Sequence, residues 1–404
     1  MHTLKLGLIR EGKVPPDKRV PFSPAQVEEI KQRFPNINVV CQESATRCFS
    51  DEEYRALDIE IVKDVSDCDI LMGIKEVPVD HLIPNKTYLF FSHTIKKQPY
   101  NRKLLQTILE RKIRLIDYEG LKDTQGNRLV AFGRYAGIVG AYNGLLTYGK
   151  RYNLFTLRRA YDCFDINDLK LELRKVNLPP IKIILTGAGR VGKGAMETLD
   201  TAGIRKVSAI DFLNKIYDEP VYTQLSSADY HESKSGGHFN REEFHQHPEK
   251  YSSFFMRYAQ VAQMLLGGAY WNPAAPVLFT QEDMLNPQFK LKVIADITCD
   301  INGSIPSTKR ASTIADPFYD YDPIADKIMP PFSHENYITT MAVDNLPCEL
   351  PRSASEEFGR DLIDRILKPL LAKDTGGIIK RGTVCVDGEL TKEFKYLQDY
   401  VSGK

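Results

Sequence analysis

The sequence lacks the features that mark membrane-spanning, secreted and nucleic-acid-binding proteins. No stretch approaches the roughly 18 consecutive apolar residues of a membrane-spanning helix, and the N-terminal run MHTLKLGLIREGK has no signal-peptide pattern. The formal net charge is only +1, so no excess of either sign points to nucleic acid or to a membrane surface. The seven cysteines are scattered and include no CxxC pair, which favours reduced thiols over a disulfide framework. We therefore expect a cytoplasmic protein, and its 404 residues suggest two or three domains.

The stretch Ile181–Asp211 has the order that a dinucleotide site needs: an apolar strand, a glycine turn, a helix, a second apolar run and an acid. The first glycine would allow the tight turn, the second would let the backbone approach a pyrophosphate, and the third would let helix and strand pack closely. The N-terminus of the helix would offer N–H groups to the phosphates. The predicted cofactor-binding residues are Gly187, Gly189, Arg190, Val191, Gly192 and Asp211.

Asp211 sets the expected choice of cofactor. It follows the apolar run Val207–Ile210, which we interpret as the second strand, at about the expected 20 residues beyond the glycines. A carboxylate at the end of that strand can accept hydrogen bonds from a ribose 2′-OH and would repel a 2′-phosphate. This predicts NAD(H) in preference to NADP(H), which stays possible. The alternative is a glycine turn in some other α/β protein.

Strands alternate with helices before the glycine turn, which is typical of a parallel sheet covered on both faces. Ser23 with Gln26 forms a capping-box pattern that predicts the start of one of these helices. The glycine-rich run Phe132–Tyr148 is interpreted as a helix packed closely against its neighbours, crossing from one domain to the next. The chain is thus expected to be α/β, with one doubly wound domain before the glycine turn and a second that the turn begins.

The segment Asp218–Tyr251 is polar, has no clear periodicity and carries four histidines. Imidazoles suit zinc or nickel, but no cysteine or carboxylate completes a recognisable ligand spacing. We therefore interpret the segment as a solvated insertion without a metal. Phe254–Leu266, directly beyond it, is predicted to be a helix. The four histidines are His231, His238, His245 and His247.

Ionisable residues stand where the apolar runs of the first domain end. Lys75, His93 and the pair Asp117 and Glu119 each follow such a run. Because ligands of open α/β sheets bind outside the carboxyl ends of the strands, several of these groups should face one cleft. Histidine titrates near neutrality, and a lysine that is partly desolvated or lies beside other cations can lose its proton there. The pair suits proton transfer, although Lys75 could be a solvated charge and His93 an ordinary loop imidazole.

Three arginines are further candidates. Arg19 precedes the apolar Val20-Pro21-Phe22, and Arg128 leads into Leu129-Val130-Ala131-Phe132. A guanidinium held beside apolar backbone suits bidentate binding of a carboxylate. Each could equally be a surface charge, and for Arg134 we favour that interpretation.

Longer motifs carry a family resemblance. They are LGLIREGK, DKRVPFSP, GIKEVP, YLFFSHTIKKQPYN, IRLIDYEGLKDTQGNRLVAFGRYAG, DITCDINGSI and DNLPCELPRSASEEFG. Together they resemble the lysine–2-oxoglutarate reductases, the saccharopine dehydrogenases of the lysine-forming type, which are related to alanine dehydrogenase and the N-terminal part of transhydrogenase. FSHTIK, the histidine-bearing insertion and DITCDINGSI resemble the reductase half of the bifunctional animal and plant enzyme. GAGRVGKGA with Asp211 is more similar to the single-function fungal enzyme, which uses NAD.

The resemblance implies two Rossmann-like, doubly wound domains with a cleft between them, the first being discontinuous. The implied substrate domain is 1–134 plus 345–404, and the implied dinucleotide-binding domain is 135–344, with the polar insertion at about 218–251. The acid/base pair of the family falls on Lys75 and His93. Its substrate-binding residues match Arg19, Arg128, Glu119 and Asp344. The chain departs at Asn345, where the fungal enzyme has histidine and the bifunctional enzyme also has asparagine.

The implied reaction is the reversible, NAD-dependent condensation and reduction of L-lysine with 2-oxoglutarate to saccharopine. One alternative is an enzyme similar to alanine dehydrogenase that acts on a small 2-oxo acid and ammonia. Two or more carboxylate-binding arginines favour the larger product. Another alternative is a non-catalytic module that binds a nicotinamide nucleotide and regulates, which predicts loss of Lys75 or His93, and both are present. Small molecules are the expected partners, and the sequence does not predict an oligomeric state.

Overall fold

We analysed a computed structural model, which describes residues 3–403. Its strands, in chain order, are β1 (Leu4–Leu8), β2 (Ile37–Gln42), β3 (Ile61–Val62), β4 (Ile70–Met72), β5 (Thr87–Phe90), β6 (Arg114–Asp117), β7 (Lys182–Thr186), β8 (Arg205–Lys206), β9 (Val221–Leu225), β10 (His231–Ser233), β11 (Tyr251–Ser253), β12 (Met264–Gly267), β13 (Val293–Asp296), β14 (Phe318–Asp322), β15 (Lys327–Met329), β16 (Ile338–Met341), β17 (Thr383–Val386) and β18 (Glu389–Leu390).

The α-helices, in chain order, are α1 (Pro24–Arg33), α2 (Asp51–Arg55), α3 (Arg102–Glu110), α4 (Gly133–Tyr152), α5 (Ile166–Leu173), α6 (Arg190–Thr201), α7 (Ala209–Asn214), α8 (Arg241–Gln246), α9 (Met256–Ala259), α10 (Gln281–Leu285), α11 (Pro351–Asp361), α12 (Lys368–Leu371), α13 (Ile378–Gly382) and α14 (Gln398–Ser402). Between Thr3 and Gly403, no helix is long and apolar enough to cross a membrane. All seven cysteines are free thiols.

The chain forms two compact units. The first comprises Met1–Phe132 and Pro351–Lys404, and the second is Gly133–Leu350. Each unit is built on one eight-stranded, predominantly parallel sheet. The predicted α/β class, with two Rossmann-like units of which the first is discontinuous, is confirmed.

The sheet of the first unit has the order β18-β17-β6-β5-β4-β1-β2-β3. Strands β1 to β6 are parallel, and β17 and β18 add an antiparallel edge. Buried apolar side chains form a core on each face, because successive residues of a strand point to opposite sides. The predicted capping box at the start of α1 is confirmed, with Ser23 Oγ accepting from Gln26 N and Ser23 N donating to Gln26 Oε1.

The C-terminal part of the chain completes one core of the first unit. Helices α11 and α12 are joined by a π-helical segment, Leu362–Leu367, and together they cover one face of the sheet. Phe358, Leu362 and Ile366 are fully buried in the core that also contains Leu6 of β1. This C-terminal stretch is therefore helical from Pro351 to Leu371, with its middle wound as a π-helix.

The sheet of the second unit has the order β15-β14-β16-β13-β12-β7-β9-β8. Strands β8, β9, β7, β12, β13 and β16 are parallel, and β14 and β15 form an antiparallel edge. The chain leaves β7 towards β9 on one side and returns to β12 on the other. The carboxyl end of β7 is therefore the switch point at which open α/β sheets bind their ligands.

Helix α4 packs more closely than ordinary side chains would allow. A Cβ on Gly137 would lie 1.9 Å from the carbonyl oxygen of Val191 in α6, and one on Gly140 would lie 2.5 Å from the Ile297 side chain. A Cβ on Gly144 would lie 2.7 Å from Met264. The expected close packing of this helix is confirmed, and its partners are α6 and the sheet of the second unit.

The helix predicted over Phe254–Leu266 is wrong. Only Met256–Ala259 is helical, and Met264–Gly267 is β12, which pairs with β7 on one side and β13 on the other. A central strand of a parallel sheet is buried on both faces, so it is apolar at every position and has no period of two. A short run of that kind cannot be told from a buried helix by periodicity.

The interpretation of Asp218–Tyr251 as a solvated insertion is wrong for its first part, although most residues of 232–250 are exposed. Its first part contains β9, which pairs with β7 inside the sheet. The remainder forms the antiparallel pair β10 and β11 with helix α8, and its aromatic rings pack together. The Phe244 ring centroid lies 4.6 Å from that of His231 and 5.2 Å from that of Tyr251.

We predict that Gly137→Ala destabilises the second unit by at least about 2 kcal/mol, because the added methyl group would overlap the Val191 carbonyl. Gly237→Ala is the matched control, since a Cβ there meets nothing within 4 Å. Denaturant unfolding followed by circular dichroism measures both. Equal midpoints for the two variants would show that α4 and α6 can separate without cost.

Candidate active site

The ionisable side chains of the first unit collect at the carboxyl ends of its parallel strands. Lys75 lies three residues beyond β4, and His93 lies three residues beyond β5. The N–H of Phe91 donates to the Ile74 carbonyl at 2.9 Å, which keeps the two loops side by side. The structure therefore brings Lys75 and His93 to one edge of the sheet, as the sequence predicts, while their catalytic role stays a prediction.

His93 is held by Glu76. Its Nδ1 lies 2.5 Å from Glu76 Oε1, and Lys13 Nζ lies 3.4 Å from Glu76 Oε2. Burial works against ionisation, but the hydrogen bond from His93 prevails and lowers the pKa of Glu76 to about 2. An ionised carboxylate only accepts, so we assign the proton of the pair to Nδ1, which leaves Nε2 as the basic nitrogen. Sequence reasoning missed Glu76, although it is adjacent to Lys75.

The surroundings of Lys75 favour the uncharged form of its side chain. Burial lowers the pKa of its ammonium, and the positive charges of Arg19 and Lys13 lower the pKa further. Its Nζ makes no hydrogen bond or ion pair with any residue in the described part of the chain. A lysine in such surroundings can work as a base closer to neutrality than an exposed one.

The backbone of Lys75 is fixed by a carboxyl group that the sequence did not single out. Glu11 follows β1, and its two oxygens accept from Ile74 N at 2.6 Å and Lys75 N at 2.9 Å. Burial and the nearby Asp17 raise the pKa of Glu11 to about 8. Its position at the end of a parallel strand was the available signal.

Arg19 is engaged in a bidentate ion pair. Its Nε and Nη2 donate to Asp17 Oδ1 at 2.9 Å and Oδ2 at 2.6 Å, and both side chains are almost completely buried. Its guanidinium lies 4.1 Å from the Phe132 ring centroid. The two donors that would grip a substrate carboxylate in the expected bidentate mode are thus occupied by Asp17. Substrate binding by Arg19 stays a prediction.

Arg128 and Glu119 lie together. Glu119 Oε1 accepts from Arg128 Nη2 at 3.1 Å and pairs with Lys96 Nζ at 3.2 Å. Within residues 3–403, its buried Oε2 accepts no hydrogen bond. Asp117 holds the turn, accepting from Ser92 N at 2.9 Å and Glu119 N at 2.8 Å, and burial raises its pKa.

The glycine turn of the second unit fits a dinucleotide. Gly187 has φ +99°, and a Cβ there would lie 2.7 Å from the Gly268 carbonyl oxygen. Space is open around Gly189, where a Cβ would meet nothing within 4 Å, whereas one on Gly192 would lie 2.1 Å from the Gly187 oxygen. Gly189 is also the N-cap of α6, so no side chain caps the first turn of this helix, which contains Arg190, Val191 and Gly192. This leaves a cradle of the kind that phosphates occupy at helix N-termini.

Asp211 does not stand where the sequence placed it. Val207–Ile210 is not a strand: Ser208 caps α7 by accepting from Asp211 N at 3.1 Å, and Ile210 is 73% exposed. Asp211 lies in the first turn of this helix, where an acid is favourable, and its carboxylate pairs with Lys215 at 3.0 Å. The strand beside β7 is β9, which ends at Leu225 and continues into Ser226. The position of Asp211 therefore does not favour NAD(H) over NADP(H).

A narrow cavity opens where the strands of the second unit end. Thr186, Gly267 and Thr298 line it from the ends of β7, β12 and β13. His231 and Trp271 line it too, so part of the supposed insertion walls the candidate nucleotide site. Burial lowers the pKa of His231 to about 4, so its ring is neutral there. No periodic pattern indicates this wall in advance, because it is made of short elements.

Asp344 belongs to the second unit, whereas the other predicted substrate-binding residues belong to the first. It follows β16, is exposed, and donates its N–H to the Ser312 carbonyl at 3.1 Å. Asn345 after it adopts the left-handed conformation with φ +65°. Within residues 3–403, no group of three His, Cys, Asp or Glu side chains is placed to hold a metal ion.

Comparison with known proteins identifies the relatives of this chain. Residues 7–139 match the family model described as alanine dehydrogenase/PNT, N-terminal domain. The resemblance to lysine-forming saccharopine dehydrogenases is confirmed. A saccharopine dehydrogenase [NAD(+), L-lysine-forming] of Schizosaccharomyces pombe is 25% identical over 81% of this chain and 84% of its own length.

Two further similarities show how much of the chain is shared with a longer protein and with a solved structure. The mitochondrial alpha-aminoadipic semialdehyde synthase of Mus musculus is 30% identical over 98% of this chain but only 48% of its own length. The chain thus spans about half of that relative. A solved L-alanine dehydrogenase superposes with a TM-score of 0.62, covering 99% of both chains at 14% identity, and this shows the shared fold.

Trp271 is the single tryptophan of the chain and lines the candidate nucleotide cavity. NADH absorbs where indole emits, so we predict that NADH binding quenches Trp271 fluorescence. In Gly187→Ala, the strained φ and the contact with Gly268 should weaken binding at least about tenfold. Gly237→Ala should titrate like the wild type. Undiminished affinity in Gly187→Ala would mean that the dinucleotide does not use this turn.

We predict that Asp211→Ala leaves the dissociation constants of NADH and NADPH unchanged within about twofold. The reason is that Asp211 lies on α7 and pairs with Lys215 instead of ending the strand beside β7. The same fluorescence titration measures both constants. A clear gain in NADPH affinity would return Asp211 to the cofactor site.

Proposed function

We propose that this chain is a nicotinamide-nucleotide-dependent oxidoreductase that reversibly condenses L-lysine with 2-oxoglutarate and reduces the product to saccharopine. The observation that carries the proposal is the pairing of His93 with Glu76 beside a Lys75 whose pKa is lowered, at the ends of β4 and β5. The names of the relatives support the choice of substrates. Small molecules are the only partners that the reaction needs.

The proposed chemistry needs two groups that exchange protons with the substrate. In the reductive direction, an uncharged ε-amine attacks the keto carbon, and the carbinolamine then loses water to form an imine. His93 Nε2 takes the proton from the amine, since Nδ1 is held by Glu76. Lys75 relays protons during loss of water because burial favours its neutral form. A bound nicotinamide ring supplies the hydride that reduces the imine.

Carboxylate binding is assigned to the cationic side chains of the same edge. Arg128 is partly exposed and already meets Glu119, so a substrate carboxylate could share its guanidinium. Glu119 Oε2 has no partner among residues 3–403 and could accept from an ammonium or hydroxyl group. Holding the reactants in this way can contribute several kcal/mol to catalysis.

The cofactor is proposed to be NAD(H), with NADP(H) possible. The turn Gly187–Gly192 and the first turn of α6 would hold the pyrophosphate. The fungal relatives are named for NAD(+), which favours that cofactor. Ser226 and Ser227 directly follow β9, and their hydroxyl groups can bind either a ribose 2′-OH or a 2′-phosphate.

The alternative is an amino-acid dehydrogenase that joins ammonia to a small 2-oxo acid. The superposition on L-alanine dehydrogenase favours it, but at 14% identity that likeness concerns the fold. A screen of NADH and NADPH oxidation decides between the two. It should combine pyruvate, oxaloacetate and 2-oxoglutarate with ammonia, lysine, ornithine and arginine. Turnover with ammonia and no turnover with lysine would refute our proposal.

We predict that His93→Gln and Lys75→Met each lower kcat at least about 100-fold while leaving NADH affinity nearly unchanged. If the two groups act as a unit, the double mutant should lose much less than the product of the single losses. Lys75 works as a base only when uncharged, so activity should rise with pH as it loses its proton. This limb of the pH profile should be absent in Lys75→Met.

The matched controls are His81→Gln and Lys103→Met, which change exposed side chains of the same unit. Both should keep wild-type kcat and the wild-type pH profile. If His93→Gln and Lys75→Met behave like these controls, the two residues are structural and the proposed proton transfer is wrong.

A further inference from the structure

A cavity of the first unit lies beside the candidate acid/base groups. Its volume is about 700 Å³, within the range of small-molecule sites. It opens at the carboxyl ends of β1 and β2, where ligands of such sheets bind. The charged residues that line it are Arg10, Glu11, Glu43, Arg47, Asp51 and Glu52.

Glu11 joins this cavity to Lys75. Strand β1 pairs in parallel with β4, and the chain continues from both strands at the same level, Leu8 opposite Met72. The Glu11 side chain lines the cavity, and its oxygens accept from the N–H groups of Ile74 and Lys75 at 2.6 and 2.9 Å. One carboxyl group thus separates the cavity from the acid/base site.

The two arginines of the cavity differ in how many hydrogen bonds their guanidinium groups already make within the protein. Arg47 is almost buried, and its guanidinium donates to Phe49 O at 2.9 Å, to Gln42 O at 2.6 Å and to Asp51. It is a structural residue that shapes the loop after β2. Its donors are spent within that loop and are not available to a ligand.

Arg10 has no such role. Its backbone N–H donates to Gln42 Oε1 at 3.1 Å, which fixes the residue at the mouth of the cavity. Its side chain is exposed, and between Thr3 and Gly403 its guanidinium meets no hydrogen-bond or ion-pair partner. Arg10 is therefore the cation that the cavity can offer to an anionic ligand.

The cavity also carries an anion without a partner. Glu43 follows β2 and is partly buried, and within the described residues its carboxylate makes no hydrogen bond or ion pair. Glu52 is paired with Arg55 at 3.2 Å and points its charge to that side chain. An uncommitted guanidinium and an uncommitted carboxylate in one cavity match the α-carboxylate and α-ammonium of an amino acid.

We infer that this cavity binds the α-amino-acid end of the amine substrate, with Arg10 holding its carboxylate and Glu43 its ammonium group. The side-chain amine then extends past Glu11 towards Lys75. This inference rests on the proposed function and deepens it, because it explains why a free amino acid with a terminal amine would be chosen over a simple diamine.

The test compares two amines with wild type and Arg10→Gln, with 2-oxoglutarate as the oxo acid. Lysine carries the α-carboxylate, and 1,5-diaminopentane has the same chain without it. In Arg10→Gln, kcat/KM for lysine should fall about 5- to 50-fold, the range for a hydrogen-bonded charge at a partly open site. The value for 1,5-diaminopentane and KM for 2-oxoglutarate should stay within about twofold.

Glu43→Gln tests the other half in the same way. This substitution should lower kcat/KM for lysine but not for 6-aminohexanoate, which keeps the carboxylate and the terminal amine and lacks the α-ammonium. Arg114→Gln is the control. Arg114 begins β6 and so lies at the amino ends of the strands, whereas the cavity opens at their carboxyl ends. Equal losses for the complete and the truncated amine, or no loss for lysine, would overturn the assignment.

Failure of the proposed function has a separate signature. It would show as wild-type protein that does not turn over lysine with 2-oxoglutarate. Calorimetric titration with lysine in the presence of NADH or NADPH then decides the subsite alone. Binding by the wild type that is lost in Arg10→Gln supports the inference, whereas no binding by the wild type overturns it.

Discussion

Parallel strand pairing is the constraint on which both candidate sites depend. It sends the carboxyl ends of the strands to one edge of each sheet, so residues far apart in the chain meet without a dedicated loop. In the first unit this edge collects Glu11, Lys75, His93 and Glu119 from four different strands. In the second unit it collects Thr186, directly before the glycine turn, with residues at or just beyond the ends of β9, β12 and β13. Both sheets gather polar groups at the carboxyl ends of their strands: charged side chains in the first unit and backbone N–H groups in the second.

Gathering charge in this way costs desolvation, and pairing offsets that cost. Arg19 is buried with Asp17, and Glu76 ionises because His93 donates to it despite burial. Lys75 is the exception: it is desolvated, lies near other cations and has no hydrogen-bond partner within residues 3–403. His93 and Glu76 are thus paired with each other, whereas Lys75 has no such partner and burial favours its neutral form. A lysine whose pKa is lowered by burial beside a specific ion pair is the kind of group that marks a candidate functional site.

The features that could be predicted from sequence are those with a local cause. The capping box of α1 depends on Ser23 and Gln26 alone, and the close packing of α4 follows from its glycines. Lys75 and His93 could be placed at one edge because apolar runs precede them. What failed depended on partners far away: β12 is a strand because β7 and β13 flank it, and Asp211 is helical because Ser208 interrupts an apolar run. The importance of Glu76, Glu11 and Asp17 follows only from their contacts in the structure. These are with His93, the backbone of Lys75 and Arg19, respectively.

The return of the chain to the first unit has a consequence for biosynthesis. Strand β6 obtains its second neighbour, β17, and the core around Leu6 obtains Phe358 and Ile366 only after the whole of Gly133–Leu350 has been made. On the ribosome the second unit can therefore close before the first is complete, although the first emerges earlier. Until then β6 presents an open edge, which is the feature that invites wrong pairing between chains. A chain cut short before Pro351 would retain the sheet that carries the glycine turn and leave Lys75 and His93 on an unfinished one.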